Sequence, residues 1–212
     1  MAAPPRPSWF YLLVGALSWP VLKIVFRGSA RGREHLPRDD GYVLAANHSS
    51  NFDPWPLGLP LFPRRYLRFM AKSELYWFPL GLIIKAGGAF PVRRGERDTE
   101  AIATAVRLCQ GGHVVVMFPE GTRRSKGLRK KWEARAHTGA ARIALEAAVP
   151  LIPAGVVGTD RLSRLAKLAV AYGRPIELAD MQGRDLREAS EIATDRLMAA
   201  IHDLELSLTR KP

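Results

Sequence analysis

Cysteine is almost missing from this 212-residue chain: Cys109 is the only one. That excludes a disulfide framework and the usual cysteine-based zinc sites, and it suits a reducing compartment. None of the five histidines pairs with another at metal-ligand spacing, so no resident metal is expected. The chain has no Gly-x4-Gly-Lys-Ser/Thr loop, no Gly-x-Gly-x-x-Gly turn and no Gly-x-Ser-x-Gly elbow, which removes the common signatures of nucleotide binding and of serine esterases. Acidic residues are few as well: 20 Asp plus Glu stand against 32 Lys plus Arg, a net charge of +12. The preferred partner is therefore anionic, whether nucleic acid, acidic lipid, phosphate ester or acidic protein. What is plentiful is apolar side chain, at 47% of residues. That excludes disorder and, at this length, fits one domain with a real core.

The segment Trp9–Phe26 is almost unbroken in its apolar character. It lacks the small-x-small site of a cleaved signal peptide. A spanning helix needs about 20 apolar residues, and here Pro20 is expected to break the run while Lys23 would sit in hydrocarbon. Trp9, Trp19 and Lys23 favour the headgroup boundary instead. Residues 1–26 are thus read as a membrane-associating segment, a helix or broken helical pair lying in one leaflet, with a buried core helix and a true span as the alternatives. Residues 27–212 form the remaining domain.

Beyond that segment, short apolar runs bounded by Gly, Pro or Asn read as buried strands: Tyr42–Ala46, Leu67–Met70, Gly88–Val92, Val114–Phe118, Leu151–Val157 and Leu168–Tyr172. Helical stretches are expected at about 73–84, 97–110, 138–148 and 184–208. In the last, Leu186, Ile192, Leu197, Ile201, Leu204 and Leu208 fall near helical spacing. Strands alternating with helices predict a single α/β domain with a mixed, mostly parallel sheet flanked by helices. The aromatic- and proline-rich runs 55–63 and 75–84 fit core packing or, alternatively, a surface for an acyl chain.

Three strand ends carry chemistry. After Tyr42–Ala46 come His48 and, five residues on, Asp53 followed by Pro54. Pro54 disfavours helical backbone at Asp53, so the segment is expected to loop and fold the carboxylate onto the imidazole. A carboxylate holding one ring N–H leaves the other nitrogen free to take a proton. The plainer alternative makes Asp53 the N-cap of a following helix and His48 an ordinary loop residue. After Val114–Phe118 comes Pro119-Glu120-Gly121-Thr122-Arg123, a tight turn whose amides, Thr122 and Arg123 suit a phosphate, while Glu120 suits a hydroxyl or a cation. The third end is Lys85 through Arg93 and Arg94. The run Arg123–Arg135 holds seven cations, one acid and Trp132, which suits an anionic lipid surface or an acidic carrier protein.

Asn47–Asp53, Gly88–Arg94, Phe118–Arg123 and Val149–Pro153 together resemble the four ordered blocks of the glycerolipid acyltransferases, most nearly the bacterial 1-acyl-glycerol-3-phosphate acyltransferases. The likeness covers about residues 24 to 178. It implies that His48 is the general base, that Asp53 orients it, and that Arg94, Glu120, Gly121 and Arg123 bind the glycerol-phosphate acceptor. It also implies direct attack of the acceptor hydroxyl on an acyl thioester, with no covalent acyl-enzyme and no cofactor beyond the acyl-CoA or acyl-acyl-carrier-protein co-substrate. Expected partners are lysophosphatidic acid, that acyl carrier and an anionic membrane surface, with the protein peripheral or monotopic on the cytoplasmic face of the cell membrane. The product is phosphatidic acid, made in phospholipid synthesis. Glycerol 3-phosphate or another lysophospholipid are alternative acceptors; a non-catalytic lipid-binding or nucleic-acid-binding protein is the rival class, and nucleic acid is not expected. Two departures stand out: Arg93 occupies a position that is Asp in many relatives, and His137 lies where many have Lys.

Overall fold

Tyr42, Leu44 and Ala46 join one apolar cluster while Val43 and Ala45 join another, and all five are fully inaccessible. That period of two, with both faces buried, marks the central strand of a sheet covered on each side. The computed structural model describes residues 7–65, 67–92, 99–121 and 136–209, without the side chains of residues 72 and 80. Among them, seven strands make one sheet: β1 (Ser29–Arg31), β2 (Tyr42–Ala46), β3 (Leu67–Lys72), β4 (Ala89–Val92), β5 (Val114–Met117), β6 (Leu151–Val157) and β7 (Ala169–Tyr172). Their order is β1-β7-β6-β2-β5-β3-β4. All neighbours are parallel except β6 and β7. The expected mixed, mostly parallel sheet in a single domain is what the chain forms.

Three helices cover one face: α4 (Thr99–Gln110), α5 (Gly139–Ala147) and α6 (Leu186–Thr209). Their contacts run through small residues, Ala101, Ala105, Ala140, Ala144 and Ala193, together with Cys109, Ile143, Leu197 and Ile201. The buried stripe of α6 is Ala189, Ser190, Ala193, Thr194, Leu197 and Ile201, so it differs from the one read from leucines and isoleucines; Leu186 is 38% exposed. Alanine, serine and threonine carry little hydrophobic signal in a sequence, so a reading based on leucine and isoleucine passes over them. Near its carboxyl end α6 lies close to the sheet because Gly155 of β6 has no side chain: a Cβ there would lie 3.0 Å from the backbone at Leu204 and Glu205. Burial pushes the Cys109 thiol up to about 12, so it is a core apolar group and not a reactive thiol.

The other face holds α2 (Pro54–Gly58) and the turn Leu59–Leu61. The Tyr172 hydroxyl donates to the Leu57 carbonyl at 2.7 Å and ties α2 to β7. Above them lies α1 (Trp9–Pro20), with Ser8 accepting from the Tyr11 amide as its N-cap. Pro20 does not break the run. The helix continues into one wide turn, Val21–Val25, closed by Phe26 N–H to the Val21 carbonyl at 3.2 Å; an i→i+5 turn beside a proline accommodates its missing donor. The Phe26 ring then meets Trp55 edge-on at 5.6 Å.

The expected helix over 73–84 resolves into a short turn Ser73–Leu75 and α3 (Leu80–Ala86), with Pro79 as the N-cap of α3, a place where its missing N–H leaves no helical bond unmade. The two aromatic runs part company here. Pro56, Leu57, Gly58 and Leu59 are buried, whereas Trp77, Phe78, Leu82 and Ile83 are 59, 81, 62 and 52% exposed. No helix among the described residues is long and apolar enough to cross a membrane.

Candidate active site

β2, β5, β3 and β4 are consecutive parallel neighbours, so their carboxyl ends share one edge of the sheet, where ligands of open α/β folds bind. His48 and Asp53 lie just past β2. His48 Nδ1 is 2.8 Å from Asp53 Oδ2, the carboxylate is fully buried and the imidazole 11% exposed. The same oxygen accepts the backbone N–H groups of Ser49 at 2.8 Å and Ser50 at 2.9 Å, which curl the loop around it. Asp53 has helical backbone (φ −54°, ψ −38°) despite Pro54, and its side chain makes no cap bond to α2. The loop therefore closes by a different route from the one expected, and the N-cap alternative is not the arrangement found. With Nδ1–H donated to the carboxylate, the ring presents Nε2 outward. Phe118 stacks on the imidazole at 4.1 Å and 19°, fixing the ring plane.

The loop is anchored from below as well. Asn47, wholly buried, donates from Nδ2 to the Val156 carbonyl at 2.9 Å and accepts the Val156 N–H at 2.8 Å. Two bonds to one residue of β6 lock the end of β2 against its neighbour. Thr159, two residues beyond β6, donates its hydroxyl to Asp53 Oδ1 at 2.5 Å.

At the end of β5 the chain turns through Phe118-Pro119-Glu120-Gly121. The Gly121 amide donates to the Phe118 carbonyl at 3.0 Å and closes the turn. Gly121 has φ +68°, and a Cβ there would lie 2.3 Å from the His137 ring. His137, whose own N–H donates to the Pro119 carbonyl at 2.8 Å, thus packs directly on the turn. Glu120 is half-buried on it. Thr122, Arg123 and the basic run to Arg135 lie outside the described residues, as do Arg93 and Arg94. Lys85 sits in the last turn of α3, ahead of the amino end of β4, and so at the opposite end of that strand from positions 93 and 94.

Sequence reasoning passed over four residues of this edge. Asn47 and Phe118 flank quoted motifs but gave no sign of their contacts, and Thr159 is 106 residues from its partner. Lys72 is the last residue of β3, in register with Val92. At about 4.8 Å per strand, its backbone lies roughly 10 Å from the β2 axis, against about 14 Å for the chain leaving β4. The signal was a cation closing an apolar run, as at Arg93.

Beside the loop opens an apolar cavity of about 260 Å³, with Phe10 and Val14 of α1, Phe52, Leu59, Phe62 and Phe69 among its walls. Asn51 and Phe52 belong to both the His48–Asp53 loop and this cavity.

A sequence profile of the family described as Acyltransferase matches residues 28–157. The 1-acyl-sn-glycerol-3-phosphate acyltransferase of Bacillus subtilis is 32% identical over 197 residues, 88% of this chain and 94% of that protein. The enzyme of the same name from Streptococcus pneumoniae is 28% identical over 79% of this chain and 62% of its own length. Among solved structures, the 1-acyl-sn-glycerophosphate acyltransferase of Thermotoga maritima has the same fold, with a TM-score of 0.67 at 23% identity over 95% of this chain and 80% of that one.

Proposed function

The chain belongs to the acyltransferase family, and from that premise we propose that it acylates the free hydroxyl of 1-acyl-glycerol 3-phosphate to give phosphatidic acid. The observation that carries this reading is the buried His48–Asp53 pair at 2.8 Å, set at the carboxyl edge of the sheet and next to an apolar cavity. In the proposed reaction His48 Nε2 takes the proton of the acceptor hydroxyl as its oxygen attacks the thioester carbonyl. The C–S bond then breaks, and the thiolate leaves with the proton from the imidazolium. Asp53 holds Nδ1–H and stabilises the ring while it is charged. General-base help of this kind is worth about 10²–10⁴-fold, with positioning supplying more. The phosphate would be met by Arg94 and Arg123, with Arg93 and Thr122 beside them in sequence, and Glu120 would hold a hydroxyl of the glycerol. The cavity suits an acyl chain. Acyl-CoA or acyl-acyl-carrier-protein is the donor, and the chemistry calls for no further cofactor.

A lipid acceptor also gives the exposed apolar surface a purpose. Trp9, Leu13, Leu17, Trp19 and Ile24 on α1 and its wide turn, with Trp77, Phe78, Leu82 and Ile83, are 48 to 81% exposed. The Ser8 hydroxyl donates to the Ala86 carbonyl, linking α1 to α3. Lys23 donates to Gly28, Arg27 to Leu165 and Arg33 to Pro60, in each case to a neutral carbonyl, so their charge stays available to anionic headgroups. We assign this face to the cytoplasmic leaflet of the cell membrane.

The test is a product assay with the purified full chain and phospholipid vesicles. Lysophosphatidic acid plus an acyl thioester should yield phosphatidic acid, and His48→Ala should lose that activity while keeping its fold. Acylation of glycerol 3-phosphate or of another lysophospholipid in its place would move the acceptor assignment, and undiminished turnover in His48→Ala would remove the base.

A further inference from the structure

Asp53 receives four donors on two oxygens, and they are unevenly divided. His48 Nδ1, Ser49 N–H and Ser50 N–H all converge on Oδ2, while Oδ1 receives the Thr159 hydroxyl. Three donors at one end would leave the carboxylate plane free to pivot about that end. A fourth at the other oxygen fixes its rotation and therefore the direction in which Oδ2 meets the imidazole. An ionised carboxylate can only accept, so the Thr159 proton is committed to it, in a site where Asp53 is fully buried and Thr159 only 2% exposed.

The chain is bent to put that hydroxyl there. Gly158 has φ +93°, and a Cβ on it would come within 2.3 Å of the Lys167 carbonyl oxygen, so the turn after β6 needs glycine. Thr159 then opens the short helical turn Thr159–Arg164 facing the Asp53 loop. Its neighbours Asp160 and Arg161 pair with each other at 3.6 Å near the surface, leaving Thr159 as the residue of this turn buried against the carboxylate.

We propose that Thr159 is a positioning residue for the acyl transfer: through its hydroxyl it sets the orientation of Asp53 and so holds His48 in its reactive geometry. The inference rests on the role given to His48 above. A plain stitch between distant parts of the chain would stabilise the fold and leave turnover alone; a positioning residue acts on kcat.

Thr159→Val keeps the branched shape and removes the donor. Its kcat is expected to fall about ten- to hundredfold, the range set by a hydrogen bond to a charged group, with the acceptor KM changed less than about twofold since Thr159 touches no substrate. Thr159→Ser should restore most of the rate. If the valine variant does not fold, Thr159→Cys, with a weaker donor of similar size, takes its place and should fall between wild type and that loss. A second readout needs no substrate: the low-field imidazole N–H proton of His48 in the NMR spectrum, assigned by its disappearance in His48→Gln. It should shift or broaden in the valine variant and return in the serine variant. Wild-type kcat and an unmoved resonance in a folded Thr159→Val protein would overturn the proposal, as would a serine variant that restores neither. A wild-type protein inactive on lysophosphatidic acid would instead count against the acceptor assignment, with the resonance still deciding the role of Thr159.

Discussion

Replacing Asp53 with Asn separates the charge of the carboxylate from its shape. The amide can sit in only one way: its oxygen must take the Oδ2 position, where three donors from His48, Ser49 and Ser50 arrive between 2.8 and 2.9 Å, because an NH2 group there would face three N–H groups. Its NH2 then faces Thr159, whose hydroxyl turns from donor to acceptor and must back away from 2.5 Å by a few tenths of an ångström. All four bonds survive, each about 1 kcal/mol weaker without the charge, while the desolvation cost of a buried carboxylate, several kcal/mol, disappears. Stability should therefore change by no more than about 2 kcal/mol. The reaction is affected differently, because His48 becomes a cation at the moment it takes the proton. At an effective dielectric of about 20 a unit charge some 4 Å away is worth about 4 kcal/mol, or roughly 10²–10³ in rate. The expected result is a kcat lowered by about that factor with acceptor KM nearly unchanged, as Asp53 is inaccessible to substrate. Initial rates can be read from thiol release against lysophosphatidic acid concentration, alongside a denaturation curve. A folded Asp53→Asn enzyme within about tenfold of wild type in kcat, or one whose loss lay in KM, would refute the reasoning.

Arg65 offers a test of the far end of the sheet. It is 7% exposed, and its guanidinium donates to the carbonyls of Pro37, Arg38, Asp40 and Gly112, which precede β2 and β5. Arg65→Lys, with its donors at a single point, cannot reach them all and should cost about 2–3 kcal/mol in urea unfolding, with kcat near wild type under native conditions. A midpoint unchanged in the lysine variant would refute that account. Near it, burial, with Arg68 and Arg65 adding to the effect, lowers His113 to about 4. Because the folded value lies below the ordinary 6.5, the unfolded chain binds the extra proton between those limits, so stability is fully present above about 6.5 and declines as pH falls towards 4. His113→Gln should flatten that part of the stability–pH curve, and an unaltered slope would show that other groups set it.

Much of this molecule was legible because its strands are buried on both faces. Runs such as Tyr42–Ala46 and Leu151–Val157 need no partner information to be recognised, and the motifs at their carboxyl ends followed from the parallel architecture. β1 was not legible: Ser29–Arg31 is short and polar, and becomes a strand only by pairing with β7. The stripe of α6 was only partly legible, since Ala189, Ser190, Ala193 and Thr194 share it with Leu197 and Ile201 and small or hydroxylated side chains do not announce a buried face. The run 75–84 shows a third kind of limit. An apolar sequence states that its side chains avoid water, not what covers them, and here the protein itself leaves Trp77 and Phe78 open.

The functional pair divides in the same way. His48 and Asp53 are close in sequence, and their types alone suggested the contact. The residues that make the contact exact in direction, Asn47 through Val156 and Thr159 through Asp53, depend on the parallel pairing of β2 with β6 and so on partners more than 100 positions away. Neither asparagine nor threonine carries a pattern that announces such a bond. A loop of seven residues that ends in proline has many conformations available, yet the site needs one. Local sequence supplies the acid and the base, and the second strand supplies the constraint. It follows that variants at the end of β6 should alter turnover without altering either member of the pair, which is the property that separates a site built across a sheet from one built within a loop.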